Sequence, residues 1–212
     1  STLFPYTTLF RSRSAILLNY ASVMRHGLIP NLLDSGINCR YNARDATWFF
    51  LKSVIDYVEK SKDYDIFNYG VNMVFLSDDF NEHNNKKMRG EKKIMKLAEI
   101  VHEILQRHAK GISFREWRAG NQIDEQMTDE GFNIRIYLNE ENGFIYGGNK
   151  WNCGTWMDKM GSSEKARNKG HPATPRNGAD CEIIGLLYYT LVHLNDLNLK
   201  GKYPFNEVHL KD

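Results

Sequence analysis

Residues 147–161 read Gly-Gly-Asn-Lys-Trp-Asn-Cys-Gly-Thr-Trp-Met-Asp-Lys-Met-Gly. One carboxylate, Asp158, stands among four glycines, two tryptophans and two methionines. Glycine lets a backbone approach a neighbour closely and adopt unusual φ values. Tryptophan faces exclude water. A carboxyl buried in such surroundings is disfavoured as an anion, so its pKa should rise. A carboxylic acid kept protonated near neutral pH is what a general acid needs to protonate a glycosidic oxygen. A plainer role is also open, in which Asp158 caps a short helix starting at Lys159.

Three other stretches carry groups suited to hydroxyls. In Tyr41-Asn-Ala-Arg-Asp-Ala-Thr-Trp48, Arg44 and Asp45 stand where a helix should begin. They could hold vicinal hydroxyls with Trp48 as a stacking plane, or Asp45 could cap the helix. Residues 120–131 hold Asp124, Glu125, Asp129 and Glu130. Asp124 and Asp129 are candidate pocket residues, although most such runs are solvated loops. In residues 170–182, Pro172 and Pro175 stiffen a loop that presents Thr174 and Arg176. Glu182 follows just inside a helix, as a substrate contact at its mouth or as a charge favoured by the dipole.

The elements that must position these groups are mostly helical. Apolar spacing predicts helices over 14–26, 43–60, about 91–110 and 179–197. Their stripes include Ile16, Leu17, Tyr20, Val23 and Met24 in the first and Trp48, Leu51, Ile55 and Val58 in the second. Ile94, Leu97, Val101, Ile104 and Leu105 mark the third, and Ile183, Leu186, Leu187, Leu191 and Leu194 the last. A short helix is expected over 162–168. Residues 61–90 read as a polar surface excursion. Alternation in Phe132–Leu138, a turn at 139–143 and Phe144–Tyr146 form a hairpin signal.

Composition excludes several classes. A net charge of +2 gives no pull toward nucleic acid or an anionic membrane. The longest apolar run is far too short to span a bilayer. Three cysteines with no CxxC spacing point to a reducing compartment, consistent with a cytoplasmic location. Seven histidines without an HxxxH pair give no metal site, and no cofactor is expected.

Taken together these segments resemble the C-terminal glucosidase region of the eukaryotic-type glycogen debranching enzyme family. The likeness rests on residues 25–33, 41–48, 129–133, 146–149, 152–161 and 172–178. Residues 61–90 and 198–212 carry little of it. The resemblance implies a mainly α fold, part of a six-hairpin α/α toroid with a small β-hairpin insertion. It implies hydrolysis of α-1,6-linked glucose stubs on glycogen or limit dextrin, with inversion. Asp158 would be the general acid. Arg44, Asp45, Trp48, Asp124, Asp129, Asn149, Trp156, Arg176 and Glu182 would bind substrate. A 4-α-glucanotransferase domain would lie N-terminal in the same full-length chain.

Inversion requires a second carboxylate to activate water, roughly 6.5–9.5 Å from the acid. The resemblance puts that base in a Gly-Pro-Glu-Trp type motif, which this sequence does not contain. The expectation is a chain that holds the acid and part of the sugar pocket and is inactive alone. Residues 1–13 look like the translation of a sequencing adapter and are set apart as a scar, leaving 14–212 as a partial glucosidase domain. Two other readings compete: a non-catalytic glucan-binding module using the same aromatics, and a helical scaffold with no use for them.

Overall fold

A computed structural model describes residues 4–33, 39–75 and 93–210 of the chain. Its helices are α1 (Phe4–Ser22), α2 (Arg44–Ser61), α3 (Leu97–Lys110) and α4 (Cys181–Leu199). Strands β1 (Gly70–Asn72) and β2 (Ile94–Lys96) pair antiparallel. A second antiparallel sheet has the order β3-β4-β5, from Ile112–Arg115, Asn133–Leu138 and Ile145–Gly147.

The predicted stripe of α2 becomes the centre of the core. Trp48, Leu51, Ile55 and Val58 are all buried, because spacing of three and four residues stacks them on one side of the helix. α2 packs on α4 and α1, while α3 packs on β4. Leu97, Val101, Ile104 and Leu105 of α3 are buried as expected. Ile94 is not, because Ile94–Lys96 extends as β2 and leaves its side chain exposed. The first two residues of the helix expected from Glu91 lie outside the described residues.

Two helix boundaries moved for identifiable reasons. α1 stops at Ser22, not His26. His26 and Gly27 both take positive φ, 56° and 71°, and close a two-residue turn between Arg25 and Leu28. At its other end α1 begins at Phe4, inside the segment read as a scar. The helix expected over 162–168 is a set of turns.

The expected six-hairpin toroid is not what this chain forms. Among the described residues there are four α-helices and two small antiparallel sheets, with strands and loops in place of helical hairpins between α3 and α4. Residues 111–180 either alternate, as in β4, or are broken by Gly, Asn and Pro. Neither pattern carries a stripe that could bury a helix against a neighbour. The β4–β5 hairpin is present as read, pairing Leu138 with Ile145 and Ile136 with Gly147. β3 joins it as a third strand that the sequence did not announce.

His108 lies fully inside this core, its ring 4.8 Å from Trp48 and its Nδ1 2.8 Å from the Ile104 carbonyl oxygen. Burial lowers its pKa from 6.5 to about 4. The unfolded chain therefore takes up this proton first as pH falls, and stability is lost between 6.5 and about 4. Replacing His108 by Leu should flatten that part of the stability–pH curve, which urea denaturation across the range would show.

Candidate active site

The site is assembled on the first turn of α2. The Arg44 backbone N–H donates to the Gly154 carbonyl at 2.8 Å. The Asp45 carboxylate accepts the Trp156 backbone N–H at 2.8 Å. These two bonds hang residues 154–158 on the helix start. Beyond Asp158 the segment is held by a second partner. Ala173 N–H donates to Lys159 O at 2.9 Å, and Gly161 N–H donates to His171 O at 2.9 Å. A side chain at position 161 is excluded, because its Cβ would lie 2.0 Å from the Asn168 carbonyl oxygen.

A cavity of about 390 Å³ opens beside this loop. Asp45, Asp158, Thr155 and Trp156 line it together with Phe49 and Tyr20. The two carboxylates stand in opposite environments. Asp45 is 3% exposed, whereas Asp158 is exposed at the rim and Trp156 is 64% exposed. The burial expected around Asp158 is thus absent: the tryptophan beside it faces outward. Burial instead pushes the Asp45 carboxyl above its ordinary 3.8, with Glu182 adding to the rise and the Trp156 N–H opposing it.

Behind the loop lies a charged network. The Arg44 side chain is 2% exposed. Its Nη1 donates to Gly178 O at 3.0 Å, and its Nη2 donates to Asp180 Oδ2 at 2.7 Å and to the Arg176 carbonyl. Asp180 also accepts from Arg176 Nε at 3.1 Å. Arg176 in turn pairs with Glu182 and contacts Met157 Sδ at 3.0 Å. Burial works against the Glu182 anion, but its own backbone N–H and Arg176 outweigh it and hold the carboxyl below its usual range. Burial likewise lowers the Arg44 pKa, against the raising charges of Asp180 and Asp45.

Residues 2–208 match the family model described as Amylo-alpha-1,6-glucosidase. The glycogen debranching enzyme of Saccharomyces cerevisiae is 48% identical over 204 residues, covering 96% of this chain. The chain belongs to the amylo-alpha-1,6-glucosidase family. It is thereby a member of a glycoside hydrolase family, and it spans 13% of the length of that yeast relative.

Not every expected residue of this glucosidase-family chain reaches the cavity. Asp45, Trp156 and Asp158 line it; Arg176 and Glu182 stand behind it. Trp48 is 1% exposed in the core, packed on His108, so it offers no face to a sugar. Asn149 spends its amide on backbone: its Nδ2 donates to the carbonyls of Glu130 and Asn133, and its Oδ1 accepts the Trp151 N–H. Asp124 accepts the N–H groups of Gln126 and Met127 and so builds its own turn. Asp129 is 80% exposed and paired with Arg115. Sequence reasoning missed Asp180 and Thr155. The first had a weak signal, its four-residue offset from Arg176; the buried Thr155 had only its place in the Gly-Thr-Trp-Met-Asp run.

Because the folded pKa of Asp45 is raised, its neutral form stabilises the fold below 3.8, and that stability is lost as pH rises through the shifted pKa. Asp45→Asn keeps an oxygen acceptor for the Trp156 N–H and removes the titration. Melting temperatures measured from pH 3 upward should fall more steeply for the unmutated chain than for this variant.

Proposed function

We propose that this chain supplies the general acid and part of the glucose pocket of an inverting α-1,6-glucosidase that trims glucose stubs from glycogen or limit dextrin. One observation carries the reading: Asp158 stands at the open rim of the cavity whose floor holds the buried Asp45. A general acid must meet the glycosidic oxygen of a large branched polymer, and a rim position lets the polymer stay outside. Asp45 and the exposed Trp156 suit the hydroxyls and the C–H face of one pyranose. Family membership supports α-1,6 linkage and glycogen as substrate.

In this reading Asp158 gives its proton to the leaving oxygen as the bond to the anomeric carbon breaks. Water attacks the opposite face, activated by a second carboxylate roughly 6.5–9.5 Å away. No carboxylate of this chain is assigned that task. The chain would work in the cytoplasm as part of a longer polypeptide that also carries 4-α-glucanotransferase activity, and would be inactive alone.

The test is Asp158→Asn in a full-length debranching enzyme carrying these residues. Glucose release from limit dextrin should fall by about 10²–10⁴-fold, the contribution of a positioned acid or base. Glucan binding should be retained. Turnover that survives the change would remove Asp158 from the role, and loss of binding with turnover would favour a contact residue.

A further inference from the structure

The glycines of the 147–154 stretch have a neighbour in common. A Cβ at Gly147 would lie 2.8 Å from Arg44 Cδ, one at Gly148 would lie 3.3 Å from Arg44 Nη2, and one at Gly154 would lie 3.5 Å from Arg44 Nε. Gly147 and Gly148 are thus crowded by the Arg44 side chain, Gly147 also by the Arg135 carbonyl oxygen at 2.8 Å, whereas a Cβ at Gly154 would make ordinary contact. The Arg44 fork meets the carbonyls of Arg176 and Gly178 and the carboxylate of Asp180. Gly178 also pairs with Gly147 at the end of β5, N–H to carbonyl in both directions, at 2.9 and 3.1 Å. Arg44 itself does not line the cavity, though Ala43, Asp45 and Ala46 on either side of it do.

We infer that Arg44 is a positioning residue for the Asp158 loop and not a sugar ligand. Its backbone N–H fixes Gly154, four residues before Asp158, while its side chain locks the end of β5 and residues 176–180 behind that loop. Arg176, placed by the same carbonyl and by Asp180, reaches Met157, the residue before Asp158. Arg44 thus sets the loop from two sides, by its backbone N–H at Gly154 and by its guanidinium on residues 176–180, and only the second is removed in a side-chain variant. An ammonium on a single stem cannot reproduce a fork that meets three acceptors at once.

The inference rests on the glucosidase reading for its catalytic readout but has a structural readout of its own. In a full-length debranching enzyme carrying these residues, Arg44→Ala should lower kcat on limit dextrin about 100-fold, the scale of a misplacement near 1 Å. KM should stay close to that of the unmutated enzyme. Arg44→Lys should recover little of the rate. Guanidinium chloride at non-denaturing concentration should restore Arg44→Ala at least in part, and should not help Asp158→Asn. Backbone amide exchange at Gly147 and Gly178 should speed up in Arg44→Ala and slow again with guanidinium.

A raised KM with unchanged kcat would make Arg44 a sugar contact and overturn the inference. So would full activity in Arg44→Lys, or guanidinium without effect on both rate and exchange. If Arg44→Ala does not fold, Arg44→Lys and Asp180→Asn decide through the same split between kcat and KM. Full turnover in Asp158→Asn would defeat the general-acid assignment alone and leave the exchange result to judge Arg44.

Discussion

The arrangement depends on one buried cation. A guanidinium taken out of water loses hydration worth several kcal/mol, and the fold keeps it only if acceptors surround it. Arg44 finds them in Asp180 and two backbone carbonyls. Those acceptors come from a loop more than 130 residues away in sequence. The need to satisfy the charge therefore dictates where that loop lies, and with it Arg176 and Glu182. Removing one partner of such a pair leaves an uncompensated charge inside, which costs more than the pair contributes.

The glycine-rich character of residues 147–154 takes a different meaning in this light. From composition, the glycines admit a ligand. In the fold, Gly147 and Gly148 make room for Arg44. The cavity is lined instead by α1, by Ile29–Asn31, by the first turns of α2, and by Thr155, Trp156 and Asp158. Asp45 serves both parts, since its carboxylate holds the Trp156 N–H and also forms the cavity floor. The two carboxylates at the cavity divide accordingly. The buried one has its charged form disfavoured by burial, and the exposed one is open to solvent.

Much of this was legible from residue order. The α2 stripe and the β4–β5 hairpin follow from periods of 3.6 and 2, which local sterics impose without tertiary information. Asp45 and Asp158 were read in two separate stretches, and only the family resemblance set them and Trp156 around one pocket. Trp48 was misread because an indole at a helix start has the same residue type whether it faces a pocket or a core. The ring of helical hairpins was inferred from likeness to a family. In the described residues the segment between α3 and α4 has too little helical period to form it.

The sequence by itself determined the long helices α2, α3 and α4, the β4–β5 hairpin, and which family the chain resembles, because these depend on composition and short-range spacing. Only the tertiary structure decided which polar groups face the cavity and which support it. Arg44 turned inward to carbonyls, Asn149 closed on its own loop, and Asp158 came to the rim in place of a buried pocket. Those outcomes depend on satisfying long-range hydrogen bonds and on excluding a Cβ at close approach. Neither constraint exists until distant parts of the chain meet.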